Sequence, residues 1–434
     1  MLKGKKKDQK KSPKKEQLFQ SVKGMSDILP KDQGFWKAVL QVGQTVSELH
    51  DFYFIETPIL EPAALFEASV GESTDIVEKQ MYVFKTKGGD RVVMRPEGTA
   101  PVMRAYLEHH LGYFFSPLKV FYNGPMFRYE KPQAGREREL HQWGFEIIGD
   151  GDPFYDAQII LVTLNFLEAL KIKNIVLKIN TIGCRVCRPN YKQKLKDYYR
   201  FHKSKLCKDC ERRYEKNPLR LLDCKEPDCQ SLKEKAPIIL DFLCQGCNNH
   251  FKNVLELVED NGIIYDPDPY LVRGLDYYNR TVFEVFLADE NLALAGGGRY
   301  DYLSELLGGR MIPSVGVALG IDRIIQVLKS KDLSPNLKCK PRVFFAAVGD
   351  QAKKSSLKLM NQLRVAGIQV SESLGKKSLK AQLKTANKVG APLVLLYGQK
   401  EVFERTVIIR DMKSGAQENI VLEKMVEEVK RRLK

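Results

Sequence analysis

Long apolar runs are missing from this chain of 434 residues. No stretch approaches the ~18–20 consecutive apolar residues that a helix needs to span a bilayer. The lysine-rich N-terminus is not followed by an apolar segment, so it does not resemble a secretory signal. These absences predict a cytoplasmic protein without a membrane segment, and the hydrophobic content of 43% is sufficient for a sizeable core.

Several common nucleotide-binding motifs are also absent. The chain has no GxxxxGK[ST] phosphate loop and no early GxGxxG sequence after a strand. It also lacks the HIGH and KMSKS signatures of Rossmann-type synthetases. If a nucleotide binds here, we expect arginines on a sheet to hold its phosphates, because a guanidinium group stays charged and donates paired hydrogen bonds.

Basic residues are in excess, with 70 lysines and arginines against 54 acidic residues and a net charge of +16. Such an excess favours polyanions such as nucleic acid, although a basic protein without such a partner is an equal alternative. Residues 1–20 form a lysine-rich arm that we expect to be disordered. It either adds nonspecific affinity for nucleic acid or acts as a solubilising tail.

The expected fold class is α/β (α+β), with a core that is divided by an insertion. Strand-like and helix-like segments alternate over residues 21–183 and again over 255–333. Residues 184–254 hold eight cysteines between lysine-rich helical stretches and are predicted to form the insertion. A linker at 334–341 precedes a βαβαβ order at 342–434, which predicts a second α/β domain.

A dense group of polar residues is predicted on a hairpin. Arg128 and Glu130 share one face of a predicted strand, and Gln142 and Glu146 share a face of the next, because residues two apart on a strand point the same way. Residues 131–138 contain proline and glycine and should form the turn. This surface could hold a cationic amino acid and a triphosphate together, although an ordinary charged hairpin is an equal alternative.

Three further clusters follow along the chain. Residues 271–278 (LVRGLDYY) place an arginine, an aspartate and two tyrosines between apolar residues. Residues 295–301 contain three consecutive glycines, which allow close approach to a ligand but are more typical of a turn. In residues 316–323 a predicted helix begins near Gly320, next to Arg323.

These clusters, together with residues 95–99 (RPEGT), resemble in sequence and order the class II histidyl-tRNA synthetases. The resemblance covers residues from about 21 to the C-terminus, and LVRGLDYYNRTVFE is its most specific part. It implies an antiparallel-sheet catalytic core with helices, a Cys-rich helical insertion and a C-terminal α/β anticodon-binding domain. The segment around Thr57, Pro58 and Glu61 resembles the family's dimer motif and implies a homodimer.

The resemblance also implies roles for individual residues. L-histidine would be bound by Glu97, Gly98, Thr99, Arg128, Gln142, Glu146, Arg273, Tyr277 and Tyr278. ATP, with Mg²⁺, would be bound by Arg128, Glu130, Arg136 and Arg323. Arg273 and Arg128 would be catalytic, and Gln133 and Arg136 would contact the acceptor end of tRNA(His).

One position departs from the family pattern, since Leu140 stands where an aromatic residue normally stacks on adenine. Leucine can cover the ring by dispersion but lacks its π-face, so we expect somewhat weaker ATP binding. The main alternative function is a non-catalytic synthetase-like regulatory subunit of histidine biosynthesis. A zinc-containing nucleic-acid-binding protein, or a synthetase with another specificity, explains fewer of these motifs.

The insertion contains four cysteine pairs, three with CxxC spacing, which lets two thiolates bind one tetrahedral Zn²⁺. The alternative is a set of reduced thiols without metal, and the grouping of the pairs into sites stays open at this point. Cys339 stands apart and is expected to be incidental. The candidate ligands for structural zinc are Cys184, Cys187, Cys207, Cys210, Cys224, Cys229, Cys244 and Cys247.

Overall fold

The structure is a computed structural model that describes residues 19–71, 74, 76–132, 137–290, 292–333, 342–373 and 378–433. It divides into two compact units, Met1–Pro335 and Asn336–Lys434. Most of the predicted N-terminal arm and the predicted linker at 334–341 lie outside the described residues. Among the described helices, none combines the length and the apolar character that crossing a bilayer requires.

An eight-stranded sheet forms the centre of the first unit. It is antiparallel except at its two edges, where a short strand pairs in parallel with its neighbour. The expectation of an antiparallel sheet core is therefore confirmed. In spatial order the strands are Tyr53–Phe54, Leu118–Phe127, Glu139–Ile148, Ser314–Gly320, Leu292–Arg299, Asn279–Leu287, Ile175–Thr181 and Tyr265–Pro267.

The predicted polar hairpin is present, but its first strand is shorter than expected. Strand Leu118–Phe127 ends before Arg128 and Glu130, so the prediction that these two residues lie on the strand is wrong. The N–H of Arg128 still donates across the hairpin to the carbonyl of Arg138 at 2.8 Å, but the N–H of Glu130 donates back to the carbonyl of Arg128 at 2.8 Å, which ends the extended conformation. Arg128 and Glu130 nevertheless line the same cavity.

The glycine run at 296–298 is part of strand Leu292–Arg299 and not a turn. The strand is hydrogen-bonded on both sides, to Asn279–Leu287 and to Ser314–Gly320. A Cβ atom at Gly296 would lie 2.2 Å from Nη1 of Arg273. Glycine is therefore required here because the arginine lies directly against the backbone of the sheet.

Helices cover this sheet and frame a second, three-stranded sheet of Leu60–Pro62, Arg91–Met94 and Tyr82–Lys85. Helix Pro153–Ala169 begins where the side chain of Asp152 accepts a hydrogen bond from the N–H of Phe154. The other helices of the unit are Gln33–Leu49, Ala63–Val70, Thr99–Glu108, Arg188–Arg200, Lys208–Lys216, Pro227–Lys233, Gln245–Asp260, Leu303–Leu306 and Ile321–Ser330.

The second unit is a five-stranded sheet with the predicted βαβαβ order. A hairpin with Lys413, Ser414 and Gly415 between its strands joins the last two strands of this sheet. Its strands, in spatial order, are Gln369–Glu372, Arg342–Ala347, Leu393–Tyr397, Thr406–Asp411 and Gln417–Val421. Its helices are Asp350–Val365, Leu379–Lys388, Gln399–Glu404 and Met425–Arg432.

A buried ion pair connects the sheet to its covering helices. Arg299 donates from Nε to Asp156 at 3.0 Å and from Nη1 to Asp301 at 3.2 Å, and neither Arg299 nor Asp156 is exposed to solvent. Nε2 of His250, on the helix that returns from the insertion, lies 3.4 Å from Asp156. Burial raises the pKa of Asp156, but the charge of Arg299 outweighs this and lowers it below its ordinary value.

Replacing Asp156→Asn should lower the free energy of unfolding by about 3–5 kcal/mol, because it leaves the buried guanidinium group of Arg299 without its charge partner. Urea denaturation followed by circular dichroism measures this change. Glu256→Gln is a suitable control, since the ion pair of Glu256 with Lys252 is exposed to solvent and should contribute below about 0.5 kcal/mol. Equal effects of the two substitutions would contradict the prediction.

Candidate active site

A cavity of about 460 Å³ lies against one face of the large sheet. Its wall includes residues from both sides of the polar hairpin, from the LVRGLDYY segment, from the glycine-containing strand and from the start of helix Ile321–Ser330. Leu140 also lines it, at the position that departs from the family pattern. The ionisable side chains of the lining are Arg128, Glu130, Glu137, His141, Arg220, Asp223, Arg273, Glu284, Asp322 and Arg323.

Three of the predicted arginines are fixed by hydrogen bonds in this wall. Nε of Arg128 donates to the carbonyl of Pro96 at 2.8 Å, and Nη1 of Arg323 donates to the carbonyl of Ala293 at 2.7 Å. Arg273 pairs with Glu284. Since guanidinium groups remain charged in any environment, this wall is suited to phosphate groups.

Glu284 is a site residue that the sequence prediction missed. It lies on strand Asn279–Leu287, where it holds Arg273 against the sheet and lines the cavity. The charge of Glu284 raises the pKa of Arg273 despite burial of the guanidinium group, which lowers it. A signal was available, because Glu284 interrupts an otherwise apolar strand segment within LVRGLDYYNRTVFE.

A second group of predicted residues forms a buried polar cluster at the start of helix Thr99–Glu108, and we call this cluster the pocket. The carboxylate of Glu97 accepts hydrogen bonds from the N–H of Thr99 at 2.7 Å and of Ala100 at 3.0 Å. The hydroxyl of Tyr277 lies 3.4 Å from the same carboxylate. Burial raises the pKa of Glu97. Gly98, the residue between Glu97 and Thr99, precedes the first turn of this helix.

Glu146 lies in the same pocket and has no exposed surface. It accepts hydrogen bonds from the hydroxyl of Thr99, at 2.7 Å, and from that of Tyr300. A Cβ atom at Gly316 would lie 1.6 Å from Oε2 of Glu146, so only glycine leaves space for this carboxyl group. Burial raises the pKa of Glu146 to about 8.

Gln142 lies between the pocket and the cavity. Gln142 and Glu146 are four residues apart on strand Glu139–Ile148, opposite Gly320 and Gly316 respectively, so their side chains share a face. Gln142 lines the cavity, and its buried Oε1 atom accepts no hydrogen bond within the described part of the chain. Such a buried polar atom is costly unless a ligand satisfies it.

The structure therefore brings the described members of the predicted histidine and nucleotide sites into one region. Tyr278 is buried beside Arg273, whose guanidinium carbon lies 5.6 Å from the centre of its ring. Gln133 and Arg136 lie outside the described residues. Besides Glu284, the sequence prediction gave no role to Arg220 in the cavity wall or to Tyr300 beside Glu146.

The eight cysteines of the insertion are free thiols that form two groups. We call Cys184, Cys187, Cys244 and Cys247 the inner cysteine cluster, and Cys207, Cys210, Cys224 and Cys229 the outer cysteine cluster. Within each cluster all the Sγ atoms lie within 4.8 Å of one another. The grouping that the sequence left open is therefore given by the fold.

The spacing of these sulfur atoms fits a tetrahedral metal. Four sulfurs at the Zn–S distance of about 2.3 Å lie about 3.8 Å apart. Cys184 lies 3.7 Å from Cys187 and 3.9 Å from Cys244, measured between Sγ atoms, and Cys207 lies 3.8 Å from Cys224. Each cluster could therefore hold one Zn²⁺ with four thiolates.

Comparison with known proteins gives consistent matches along the chain. The sequence model of the histidyl-tRNA synthetase family matches residues 24–324, and that of the anticodon binding domain matches residues 342–432. The histidine–tRNA ligase of Dehalococcoides mccartyi is 45% identical over 418 residues, covering 96% of this chain and 100% of the relative. That of Syntrophotalea carbinolica is 43% identical over 405 residues, covering 93% and 96%.

Solved structures agree with these sequence matches. The apo histidyl-tRNA synthetase of S. aureus has a TM-score of 0.80 and 32% identity, over 95% of this chain and 99% of that one. A Bacillus halodurans protein described as an ATP phosphoribosyltransferase regulatory subunit/histidyl-tRNA synthetase has a TM-score of 0.63 at 21% identity, over 88% and 99%, and shows a shared fold alone. The chain belongs to the histidyl-tRNA synthetase family.

Proposed function

We propose that this chain is a histidine–tRNA ligase that uses ATP to attach L-histidine to tRNA(His). The observation that carries this proposal is that two sites of different chemistry adjoin each other on one face of the sheet. A pocket with two buried carboxyl groups, Glu97 and Glu146, suits a cationic amino acid, and the adjoining arginine-lined cavity suits a nucleotide. Strand Glu139–Ile148 contributes to both.

In this proposal the pocket recognises each polar group of histidine. Glu97 and Thr99 bind the α-amino group, for which a carboxylate is the natural partner, and Gln142 lies near the substrate carboxylate. Glu146 and Tyr278 contact the imidazole ring, which offers one donor and one acceptor nitrogen when neutral. Amino acids without these nitrogens would leave buried polar groups of the pocket unpaired and would be rejected.

Activation joins the two sites. An oxygen of the histidine carboxylate attacks the α-phosphorus of ATP, the bond from that phosphorus to the bridging oxygen breaks, and pyrophosphate leaves. Arg273 and Arg128 contact the α-phosphate and stabilise its developing charge, while Glu130 and Arg323 hold the adenine end. Because Glu284 and the sheet fix Arg273 before substrate binds, little reorganisation is needed.

The acidic lining of the cavity also fits a magnesium-bound nucleotide. Glu137 and Asp223 offer carboxylate oxygens beside the arginines, which is the kind of ligand that Mg²⁺ accepts together with phosphate oxygens. When bound, Mg²⁺ would neutralise the charge of the β- and γ-phosphates.

In the second step the 3′-hydroxyl of the terminal adenosine attacks the carbonyl carbon of the adenylate, an ester bond forms and AMP leaves. The C-terminal unit, matched by the anticodon binding domain, would bind the distant end of the same tRNA. The contacts of Gln133 and Arg136 with the acceptor end stay predictions.

We also propose one structural Zn²⁺ in each cysteine cluster, on the tetrahedral spacing of the sulfur atoms. The ions would be structural because all four ligands of each cluster are thiolates and no position is left open for substrate. Free thiols in such clusters also favour a cytoplasmic location. Metal analysis of the purified protein tests this, and a folded protein without zinc would contradict it.

A homodimer is the proposed assembly, from the motif around Thr57 and Glu61 and from exposed aromatic side chains near it. Tyr113 and Phe114 are 87% and 76% exposed, and Tyr53 on the edge strand is 53% exposed. Large exposed aromatic groups are typical of interfaces. Light scattering measures the mass directly, and a monomer at micromolar concentration would contradict the proposal.

ATP–pyrophosphate exchange should occur with histidine and with none of the other nineteen amino acids. Arg273→Ala should reduce the rate at least about 100-fold, because it removes a positioned charge from the transition state. Arg200→Ala is the matched control, since Arg200 is an exposed arginine of the insertion and should keep the wild-type rate. Absence of exchange with every amino acid, from folded protein with Mg²⁺, would exclude the ligase function.

Glu146→Gln should raise KM for histidine at least about tenfold and leave KM for ATP nearly unchanged, because Glu146 faces the pocket and not the nucleotide cavity. The pKa of Glu146 is raised by burial to about 8, so the folded state favours the protonated carboxyl group. Its contribution to stability is complete below the ordinary pKa of 4.5 and is lost as pH rises through about 8.

In thermal unfolding without ligand, the free energy of unfolding of Glu146→Gln should therefore rise relative to that of the wild type between pH 5.5 and 8.5, by on the order of 2 kcal/mol. The amide cannot titrate; its oxygen still accepts from one of the two hydroxyls, and its NH2 group can donate to the other. Glu256→Gln, at an exposed position, serves as the control and should show no pH-dependent difference. A constant difference between Glu146→Gln and wild type across this range would contradict the raised pKa.

A further inference from the structure

One element of the insertion reaches the nucleotide cavity. The 3₁₀ turn Pro218–Asp223 lies between Cys210 and Cys224 of the outer cysteine cluster. Two of its side chains, Arg220 and Asp223, line the cavity together with the predicted ATP-binding arginines. The insertion therefore completes the wall of the active site with residues that belong to none of the motifs of the catalytic core.

Arg220 is held firmly beside Arg273. It is 6% exposed, and its Nη1 atom donates to the carbonyl of Gly274 at 2.5 Å. From the same segment of the insertion, Nδ2 of Asn217 donates to Oδ1 of Asp276 at 3.0 Å. These two bonds attach the turn to the LVRGLDYY segment immediately after Arg273.

Arg220 adds a fourth arginine to a wall that is suited to an anionic ligand. Arg220 and Arg273 line one cavity that also contains Arg128 and Arg323. The wall holds carboxylates as well, among them Asp223 of the same turn, and these suit the Mg²⁺ that accompanies a nucleotide. The ligand of this cavity in the proposed function carries an anionic group, the triphosphate of ATP, and arginine is suited to bind it with paired hydrogen bonds.

The position of Arg220 depends on a very small core. Leu219, Leu221 and Leu222 of the turn are buried in one hydrophobic cluster with Cys210 and Cys224, which consists largely of insertion residues. A core of this size rarely holds its fold without a disulfide or a metal, and the cysteines here are free. A metal ion in the outer cysteine cluster would tie the helix before the turn to the segment after it.

We propose that Arg220 binds the triphosphate of ATP and that zinc in the outer cysteine cluster places it there. The zinc-bound part of the insertion is then a component of the adenylation site and not only a peripheral structural element. This inference rests on the proposed ligase function and on the proposed structural zinc. It assigns to Arg220 and to the zinc of the outer cysteine cluster a shared role in nucleotide binding.

Arg220→Gln tests the first half of the proposal. Calorimetry with the non-hydrolysable analogue α,β-methylene ATP and Mg²⁺ should give an affinity at least about tenfold below that of the wild type, since one charge-assisted contact is lost. Affinity for histidine should stay within about twofold. Arg220→Lys should recover part of the loss, and Arg200→Gln, the exposed arginine control, should match the wild type.

The two affinities separate nucleotide binding from a general structural effect. Equal losses for analogue and histidine would mean that Arg220 supports the LVRGLDYY segment and would overturn its assignment to ATP. Unchanged affinity for the analogue would overturn it as well. Histidine-specific exchange in the wild type is independent of this result, so the ligase function is tested separately.

The paired variant Cys207→Ser/Cys224→Ser tests the role of the metal. Plasma mass spectrometry should find about two zinc ions per chain in the wild type, one for each cluster, and about one in the variant. The variant should lose as much analogue affinity as Arg220→Gln, and combining it with Arg220→Gln should add little, because both act through one side chain. Histidine affinity serves as the check that the variant is folded.

Two outcomes would overturn the dependence on zinc. One is a folded wild type that contains no zinc yet binds the analogue tightly. The other is a variant that has lost one zinc ion but retains wild-type affinity for the analogue. In either case the calorimetry of Arg220→Gln still decides whether the arginine binds the triphosphate.

Discussion

Ionisable groups that are buried on a sheet face need hydrogen-bond partners, but carboxylates and guanidinium groups that pair with each other lose their charge for a ligand. The whole site depends on how this chain meets that constraint. The carboxyl groups of Glu97 and Glu146 are held by neutral donors, namely backbone N–H groups and the hydroxyls of Thr99 and Tyr300. No arginine forms an ion pair with them in the described contacts, and burial raises the pKa of both. Neither carboxyl group is therefore neutralised by an arginine in these contacts.

The arginines are held in the opposite way. Arg128 and Arg323 donate to backbone carbonyls, which fix their direction but leave their charge intact. Arg273 has an acidic partner, Glu284, which holds it over Gly296. In the proposed function, an acidic pocket for the amino acid and an arginine-lined cavity for the nucleotide can then adjoin each other, and glycines provide space for the side chains of both. In-line transfer needs this proximity.

Much of the fold and of the site could be predicted because the relevant signals are local. Strand and helix periodicity predicted the βαβαβ order of the C-terminal unit, and the resemblance predicted that Glu97, Glu146 and Arg273 belong to one site. The errors arose where tertiary contacts overrode local sequence. Residues 296–298 lie in a strand although they are glycines, because Arg273 fills the side-chain space at Gly296 and neighbouring strands fill it at Gly297 and Gly298. The strand before Arg128 ends where the N–H of Glu130 turns back to the carbonyl of Arg128.

Other features could not be predicted, because they depend on contacts distant in sequence. The grouping of the cysteine pairs requires residues 184 and 244 to meet at the base of the insertion. The arrival of Arg220 beside Gly274 requires the insertion to fold back over the sheet. Arg299 lies in one of the clusters that resemble the synthetase family, yet its side chain is buried and joins the sheet to a helix through Asp156.

Transfer of histidine to tRNA is the measurement that tests the central claim most directly. Purified protein would be incubated with ATP, Mg²⁺, labelled histidine and total tRNA, and acid-precipitable label would be followed over time. We predict label on tRNA(His) alone, in an ester that is hydrolysed by mild base and that does not form when the 3′-terminal ribose has been oxidised. Adenylate formation without any transfer to tRNA would contradict the claim.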